Sequence, residues 1–300
     1  MQDTSIAWAD WVWNPLRGCS RISAGCQHCY AEQLAARHSV VSEKRPNPPF
    51  AGFAEFRIIG GKREAHWTGK VSLLDEDKLL EPLSWRKKAL KFREKHGREP
   101  RAFISMSDLF HEYLSQADIA QVFATMALTP EINYMILTKR ADRLEEVLND
   151  GAFADEVAYF ASQVALMRSD PLARRSDDLR ATYDDEIWPV PNVALGVSVE
   201  SQKYADERIP YMLRTPAAMR FVSYEPALGP VDFDLPACGC RNGFVDDENF
   251  DAGEQQLAAL GKVEQAAGCC DQHIRAAHDL GFLITEGHAA DQQGHIEFVV

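Results

Sequence analysis

This sequence is short of several things, and each shortage excludes a class. No run of about 18 apolar residues occurs, so no membrane-spanning helix and no membrane partner are expected. The first ten residues, Met1 to Asp10, have neither a basic start nor an apolar core. No secretory signal is read there, and a cytoplasmic location is expected. No candidate strand is followed by GxGxxG or GxxxxGKS/T, so the phosphate-cradling loops of those types are absent. Cations are in deficit: 32 Lys and Arg stand against 45 Asp and Glu, a formal net charge of −13. Phosphate contacts need clustered cations, so such a chain is a poor non-specific nucleic-acid binder. The deficit is uneven. Residues 1–100 sum to +5 and residues 101–300 to −18, which leaves a local anionic partner open in the first third.

What is present is ordinary globular composition. The 300 residues are 46% hydrophobic and 26% charged, enough for a sizeable core in one large domain or two small ones. The seven cysteines are an odd number in a chain with no export signal, so metal binding or catalysis is favoured over disulfides. Cys19, Cys26 and Cys29 lie within eleven residues. Cys238, Cys240, Cys269 and Cys270 form two pairs far downstream.

Between these groups, strand-like and helix-like segments alternate. Short β-branched or aromatic runs predict strands at Trp11–Pro15, Gly69–Leu73, Ala102–Met106, Tyr134–Thr138, Val193–Val199 and Arg220–Tyr224. Helical periods fall at Cys29–Ser39, Lys78–His96, Ala117–Leu128 (after Ser115 as N-cap), Ala141–Leu148 and Asp206–Leu213. Six strand–helix units predict an α/β fold with a parallel sheet and right-handed crossovers. Six are too few to close an eight-fold barrel, so a partial, TIM-like (βα)6 barrel is preferred over a doubly wound sheet. Phe50–Trp67 reads as a long irregular connection and Arg168–Pro191 as a surface insertion. Composition shifts near Leu235, so residues 5–235 are read as the barrel and 236–300 as an irregular tail with a last strand at Phe282–Thr285.

The first cysteines follow the first strand with the spacing C-x6-C-x2-C. Three thiolates in one loop can converge on one metal. A structural zinc usually takes four protein ligands, whereas a [4Fe–4S] cluster held by three cysteines leaves one iron open to an exogenous ligand. Cysteines placed after the first strand of a partial barrel resemble those of the radical S-adenosylmethionine (SAM) enzymes, whose usual spacing is C-x3-C-x2-C. A closer resemblance runs through Trp13-Asn14-Pro15, Cys26-Gln27-His28-Cys29-Tyr30-Ala31-Glu32 and Ser105-Met106-Ser107-Asp108-Leu109-Phe110-His111. It continues through Leu137-Thr138-Lys139-Arg140, Leu195-Gly196-Val197-Ser198-Val199-Glu200 and Phe221-Val222-Ser223-Tyr224-Glu225-Pro226. Over residues 5–235 the chain is similar to the phage-associated three-cysteine-motif family, named for phage gene products thirty-seven and sixty-eight. Members usually continue into a strand ending Gly-Gly-Glu-Ser-Gly, and no such strand follows Pro230. The tail is thus an insertion, a divergent end or a truncated reading.

The resemblance implies a radical-SAM-like iron–sulfur protein. Cys19, Cys26 and Cys29 would hold the [4Fe–4S] cluster, whose reduction would cleave SAM to a 5′-deoxyadenosyl radical acting on an unknown substrate. In βα barrels, functional groups stand at the C-terminal ends of strands. Glu200 or Glu225 could hold the SAM ammonium there, Lys139 or Arg140 its carboxylate, and Ser105 or Ser198 its ribose. Asp108, His111 and Lys139 are the candidate catalytic groups. Phage association points to a nucleotide or nucleic-acid substrate.

Plainer readings stand beside these. The three cysteines could hold zinc in a non-catalytic module. Its basic segment Arg86–Arg101, with eight basic residues in sixteen, would contact nucleic acid or a protein partner. Asp108 and His111 could merely solvate a loop. Trp8, Trp11 and Trp13 alternate at period two and are read as packing rather than a base-stacking platform. The tail cysteines with His273 could bind a second zinc, although neither half has the C-x2-C spacing of zinc ribbons.

Overall fold

The computed structural model describes residues 2–168 except 5 and 7, residues 188–232, and residues 298–299. The chain opens with Gln2–Asp3 (β1), Trp11–Val12 (β2) and Leu16–Arg17 (β3), followed by Tyr30–Arg37 (α1). Ala54–Ile59 (β4), Lys62–Trp67 (β5) and Ser72–Leu73 (β6) come next, then Glu76–Leu79 (α2) and Arg86–His96 (α3). The remaining elements alternate. They are Arg101–Phe103 (β7), Gln116–Ala127 (α4), Asn133–Thr138 (β8), Ala141–Leu148 (α5) and Phe153–Arg168 (α6). Val193–Ser198 (β9), Gln202–Arg214 (α7), Met219–Ser223 (β10) and Phe298–Val299 (β11) complete the described chain.

Five of these strands form a parallel sheet in the order β2-β7-β8-β9-β10. Each pairs with the next in sequence, so the winding never reverses. A doubly wound sheet reverses its strand order at a switch point; this one does not. β1 pairs antiparallel at one edge and β11 parallel at the other. The strand sequences explain why the sheet is parallel and covered. Val193-Ala-Leu-Gly-Val-Ser198 is buried at every position, as expected of a strand covered on both faces: Leu195 packs in the helical core, and Ala194 on the other face packs in a cluster with Trp8.

Helices pack on this sheet through a core that includes Trp13, Phe110, Ile119, Phe123, Tyr134 and Phe153. Ser115 caps α4 through a reciprocal capping box with Asp118, worth about 1 kcal/mol over alanine. Trp8, Trp11 and Trp13 are all buried. Packing is their role here: Trp13 meets Tyr134 edge-on, and its indole N–H donates to the Lys78 carbonyl at 3.0 Å.

The structure departs from the sequence reading at four places. The expected strand Gly69–Leu73 shortens to β6, which pairs with β3 in a separate ribbon. Five of the six expected strands therefore lie in the central parallel sheet, with β11 added at its edge among the described residues. Phe50–Trp67, expected to be irregular, contains the antiparallel hairpin β4–β5. Gly60 and Gly61 turn it with positive φ, and Ala54, Ala65 and Trp67 are its buried members. Lys78–His96 is not one helix. Pro82 lies in a 3-10 turn, Glu81–Trp85, between α2 and α3, consistent with proline's lack of an N–H. Helix α6 was not anticipated, although Phe153, Val157, Phe160, Ala161 and Val164 carry a helical period. Most of the expected insertion Arg168–Pro191, the boundary at Leu235, the strand Phe282–Thr285 and the tail cysteines lie outside the described residues. Among the described residues, no helix is long and apolar enough to cross a membrane.

Candidate functional site

Because the five strands run parallel, their C-terminal ends share one edge, and the loop from β2 to α1 crosses it. Asn14 Oδ1 accepts the backbone N–H groups of Ser105 at 3.0 Å and Met106 at 3.1 Å. Gly18 bridges to Ser107, whose hydroxyl donates to the Gly18 carbonyl. Gly18 has φ +89°, and a Cβ there would run into the Lys70 backbone, so only glycine fits.

The three cysteines of this loop are free and half-buried. Cys26 lies in the 3-10 turn Ala24–His28, and Cys29 is the N-cap residue of α1. Burial pushes the Cys19 thiol up to about 12; Asp108 adds to the rise and Arg140 opposes it. Burial also raises Cys29, against the favourable backbone amides of Glu32 and Ala31. The thiols feel one another: Cys29 and Cys26 raise Cys19, and Cys26 raises Cys29. Three soft thiols outside any disulfide suit a thiolate-bound metal or cluster in donor type. Among the described residues, however, no three His, Cys, Asp or Glu side chains converge closely enough to hold a metal ion.

Two polar clusters lie around this loop. In the first, Arg140 Nη1 meets Asp108 Oδ2 at 3.0 Å and Arg140 Nε meets Glu112 Oε2 at 2.8 Å. Arg140 Nη2 donates to Ser20 Oγ at 2.7 Å and to the Ser20 carbonyl at 3.3 Å. Asp108 Oδ1 accepts from the Thr138 hydroxyl at 2.7 Å and the Phe110 N–H at 3.0 Å. His111 is fully buried. Its Nδ1 accepts the Tyr113 N–H at 3.2 Å, so Nε2 carries the proton and faces Ser20 Oγ at 2.9 Å. Burial, with Arg140 nearby, lowers the His111 pKa and keeps the ring neutral.

The second cluster centres on Glu200, also fully buried. Its Oε1 accepts from Ser23 Oγ at 2.5 Å and lies 3.2 Å from Lys139 Nζ; its Oε2 lies 2.8 Å from Arg208 Nη1. Arg208 also donates to the Ser198 carbonyl at 2.6 Å. Glu225 stands apart. It is exposed and has no hydrogen bond or ion pair among the described residues, yet desolvation by surrounding protein raises its pKa, with Lys139 opposing. The Ser105 carbonyl accepts from the exposed Tyr30 hydroxyl at 3.1 Å.

The strand-end residues singled out in the sequence thus do gather on one edge. Asp108, His111 and Arg140 form one cluster, and Lys139 and Glu200 belong to the other. Ser198 contributes its carbonyl and Ser105 is stitched to Asn14. Their partners were not foreseen. Arg208 carried a signal: it falls on the buried stripe Ala205-Arg208-Ile209-Met212 of α7, and a charge on an apolar face calls for a buried partner. Glu32 carried none. Buried in α1, it takes Arg21 at 2.5–3.0 Å and the Trp67 N–H at 2.7 Å, tying the cysteine loop to the β4–β5 hairpin.

Fold and site define an α/β protein whose parallel sheet carries a cysteine loop across its strand ends. The family model described as "Protein of unknown function (DUF5131)" matches residues 3–287, and the chain belongs to that family. The match continues past residue 235. No curated protein and no solved structure matches the chain.

Proposed function

We propose that this chain is a radical-SAM-like iron–sulfur protein, with a partial barrel presenting a cluster site at its strand ends. The supporting observation is the placement of Cys19, Cys26 and Cys29. They are free thiols on a loop that lies across the C-terminal edge of a sequentially wound parallel sheet and is tied to side chains following β7, β8 and β9. The three sulfurs do not converge in this structure and would have to draw together to hold the cluster, which when bound supplies an electron and an open iron position. Glu225 is the candidate for a cationic ligand group, because its carboxylate is unengaged and partly desolvated. Lys139, whose ammonium meets Glu200 at 3.2 Å but keeps part of its surface open, is the candidate for an anionic group. Arg140 and Glu200 are already spent on protein partners, so their contribution is to hold the loop.

That engagement also favours a second reading. With Arg140, Asp108, His111 and Glu200 committed to protein partners, the loop could serve a non-catalytic zinc or iron–sulfur module. The exposed lysines of α3 would then face nucleic acid or a protein partner. Anaerobic purification with metal and sulfide analysis separates the readings. Iron with sulfide and broad absorption near about 400 nm supports a cluster. Zinc in a colourless protein supports the module, and no metal at all overturns both. With a cluster in place, release of 5′-deoxyadenosine from SAM on chemical reduction decides for the enzyme; its absence decides for a non-catalytic cluster.

A further inference from the structure

Glu200 was read from the sequence as a cofactor ligand, but its surroundings leave no approach for one. The residue has 0% exposure, and Ser23, Lys139 and Arg208 occupy both carboxylate oxygens. What it touches is the cysteine loop, and it does so twice. Ser23 donates to Oε1 at 2.5 Å. Two residues on, Gly25 comes so close that a Cβ there would meet Glu200 Cγ and Oε1 at 2.6 Å and Pro226 Cδ at 2.9 Å.

Ser23 in turn governs Cys26. The Cys26 N–H donates to the Ser23 carbonyl at 3.1 Å, and Ser23 Oγ lies 3.6 Å from Cys26 Sγ. Glu200 is itself immobilised by Arg208, which also reaches the Ser198 carbonyl at the end of β9. A chain of contacts therefore runs from the sheet through Arg208 and Glu200 to Ser23 and Cys26. Cys19 is anchored separately, through its neighbour Ser20 to Arg140 and His111.

We infer that Glu200 is a positioning residue for Cys26: its buried carboxylate, held by Arg208 and Lys139, fixes Ser23 and so sets where the second cysteine of the loop stands. A hydrogen bond to a charged, buried acceptor is worth more than one between neutral groups. Its loss should therefore free the turn locally without loosening Cys19. The role in metal uptake rests on the reading of the three cysteines as a metal centre; the hold on Cys26 does not.

The test uses the full chain, metal-free and then reconstituted with iron and sulfide under anaerobic conditions. Iodoacetamide labelling is followed at each cysteine by mass spectrometry. Ser23→Ala should speed Cys26 alkylation about tenfold, leave Cys19 unchanged and lower the reconstituted iron content. Ser23→Thr, which keeps the hydroxyl, should restore both. Glu200→Ala should act on Cys26 as Ser23→Ala does, and the double variant should add nothing further. If Glu200→Ala does not fold, the Ser23 pair of variants decides alone. An unchanged Cys26 rate in Ser23→Ala overturns the inference. If the wild-type chain takes up no metal while Ser23→Ala still exposes Cys26, the metal-centre reading falls and the positioning by Glu200 stands.

Discussion

Asp108 and Arg140 face each other across the ends of β7 and β8, with 3.0 Å between Oδ2 and Nη1 and both side chains buried. Each would be a stranded charge without the other. Removing one member of a buried pair costs about 3–5 kcal/mol, because the remaining charge stays desolvated. Arg140→Met should therefore lower the urea midpoint sharply. Glu112→Gln removes only the exposed partner of the same guanidinium and should cost about 1 kcal/mol or less. Equal midpoints for the two variants would show that the pair is not the anchor described here.

Stability should fall as pH drops below the ordinary histidine value of 6.5. His111 is held neutral in the fold, chiefly by burial, so its folded pKa lies below that value. The unfolded chain then binds the extra proton first, and the contribution is present above pH 6.5 and lost as pH falls through the folded pKa. Carboxylates with lowered pKa, such as Glu112, act in a more acidic window. Melting curves between pH 7.5 and 5 should show the loss in the wild type and a flatter profile in His111→Gln.

Cys19 should be a slow nucleophile in the metal-free protein. With its thiol pushed up to about 12, the thiolate fraction at pH 8 is on the order of one in ten thousand. Iodoacetamide labelling should reach Cys19 late. Prompt labelling of Cys19 at pH 8 would contradict the burial described.

Three glycines should respond differently to alanine. Gly60 has φ +57° with nothing within 4 Å of a Cβ, so Gly60→Ala should cost about 1–2 kcal/mol from backbone strain alone. Gly25 has no such strain but no space either. Gly25→Ala should cost about 1–3 kcal/mol by overpacking and raise Cys26 alkylation as well. Gly18 combines both penalties and should be the least tolerant. Thermal melts of the three variants check the order.

Much of the sheet was legible in the sequence because its signals are local. Buried parallel strands appear as continuous apolar runs such as Val193–Ser198, and α4 is announced by Ser115 and Asp118 three residues apart. The hairpin β4–β5 was missed because Ile59 and Arg63 break its alternation of apolar and polar residues near the tip. Half of its register is exposed and so leaves no period to read. The pairing of β6 with β3 was missed because a two-residue strand carries too little pattern to choose its partner.

The sequence by itself determined the alternation of strands and helices, the three-cysteine spacing and the clustering of polar residues just past each strand. Each depends on neighbours within a few positions, where periodicity and turn chemistry act. Only the tertiary structure decided what those polar residues do. Asp108 meets Arg140 from 32 positions away, and Ser23 meets Glu200 from 177. Such distant groups come together only when the crossovers place successive strand ends side by side. Once buried there, a carboxylate must find a cation or a donor within the protein. At this edge Asp108 finds Arg140 and Thr138, and Glu200 finds Arg208, Lys139 and Ser23, and so Arg140 and Glu200, which looked like ligands for a cofactor, hold the loop in place.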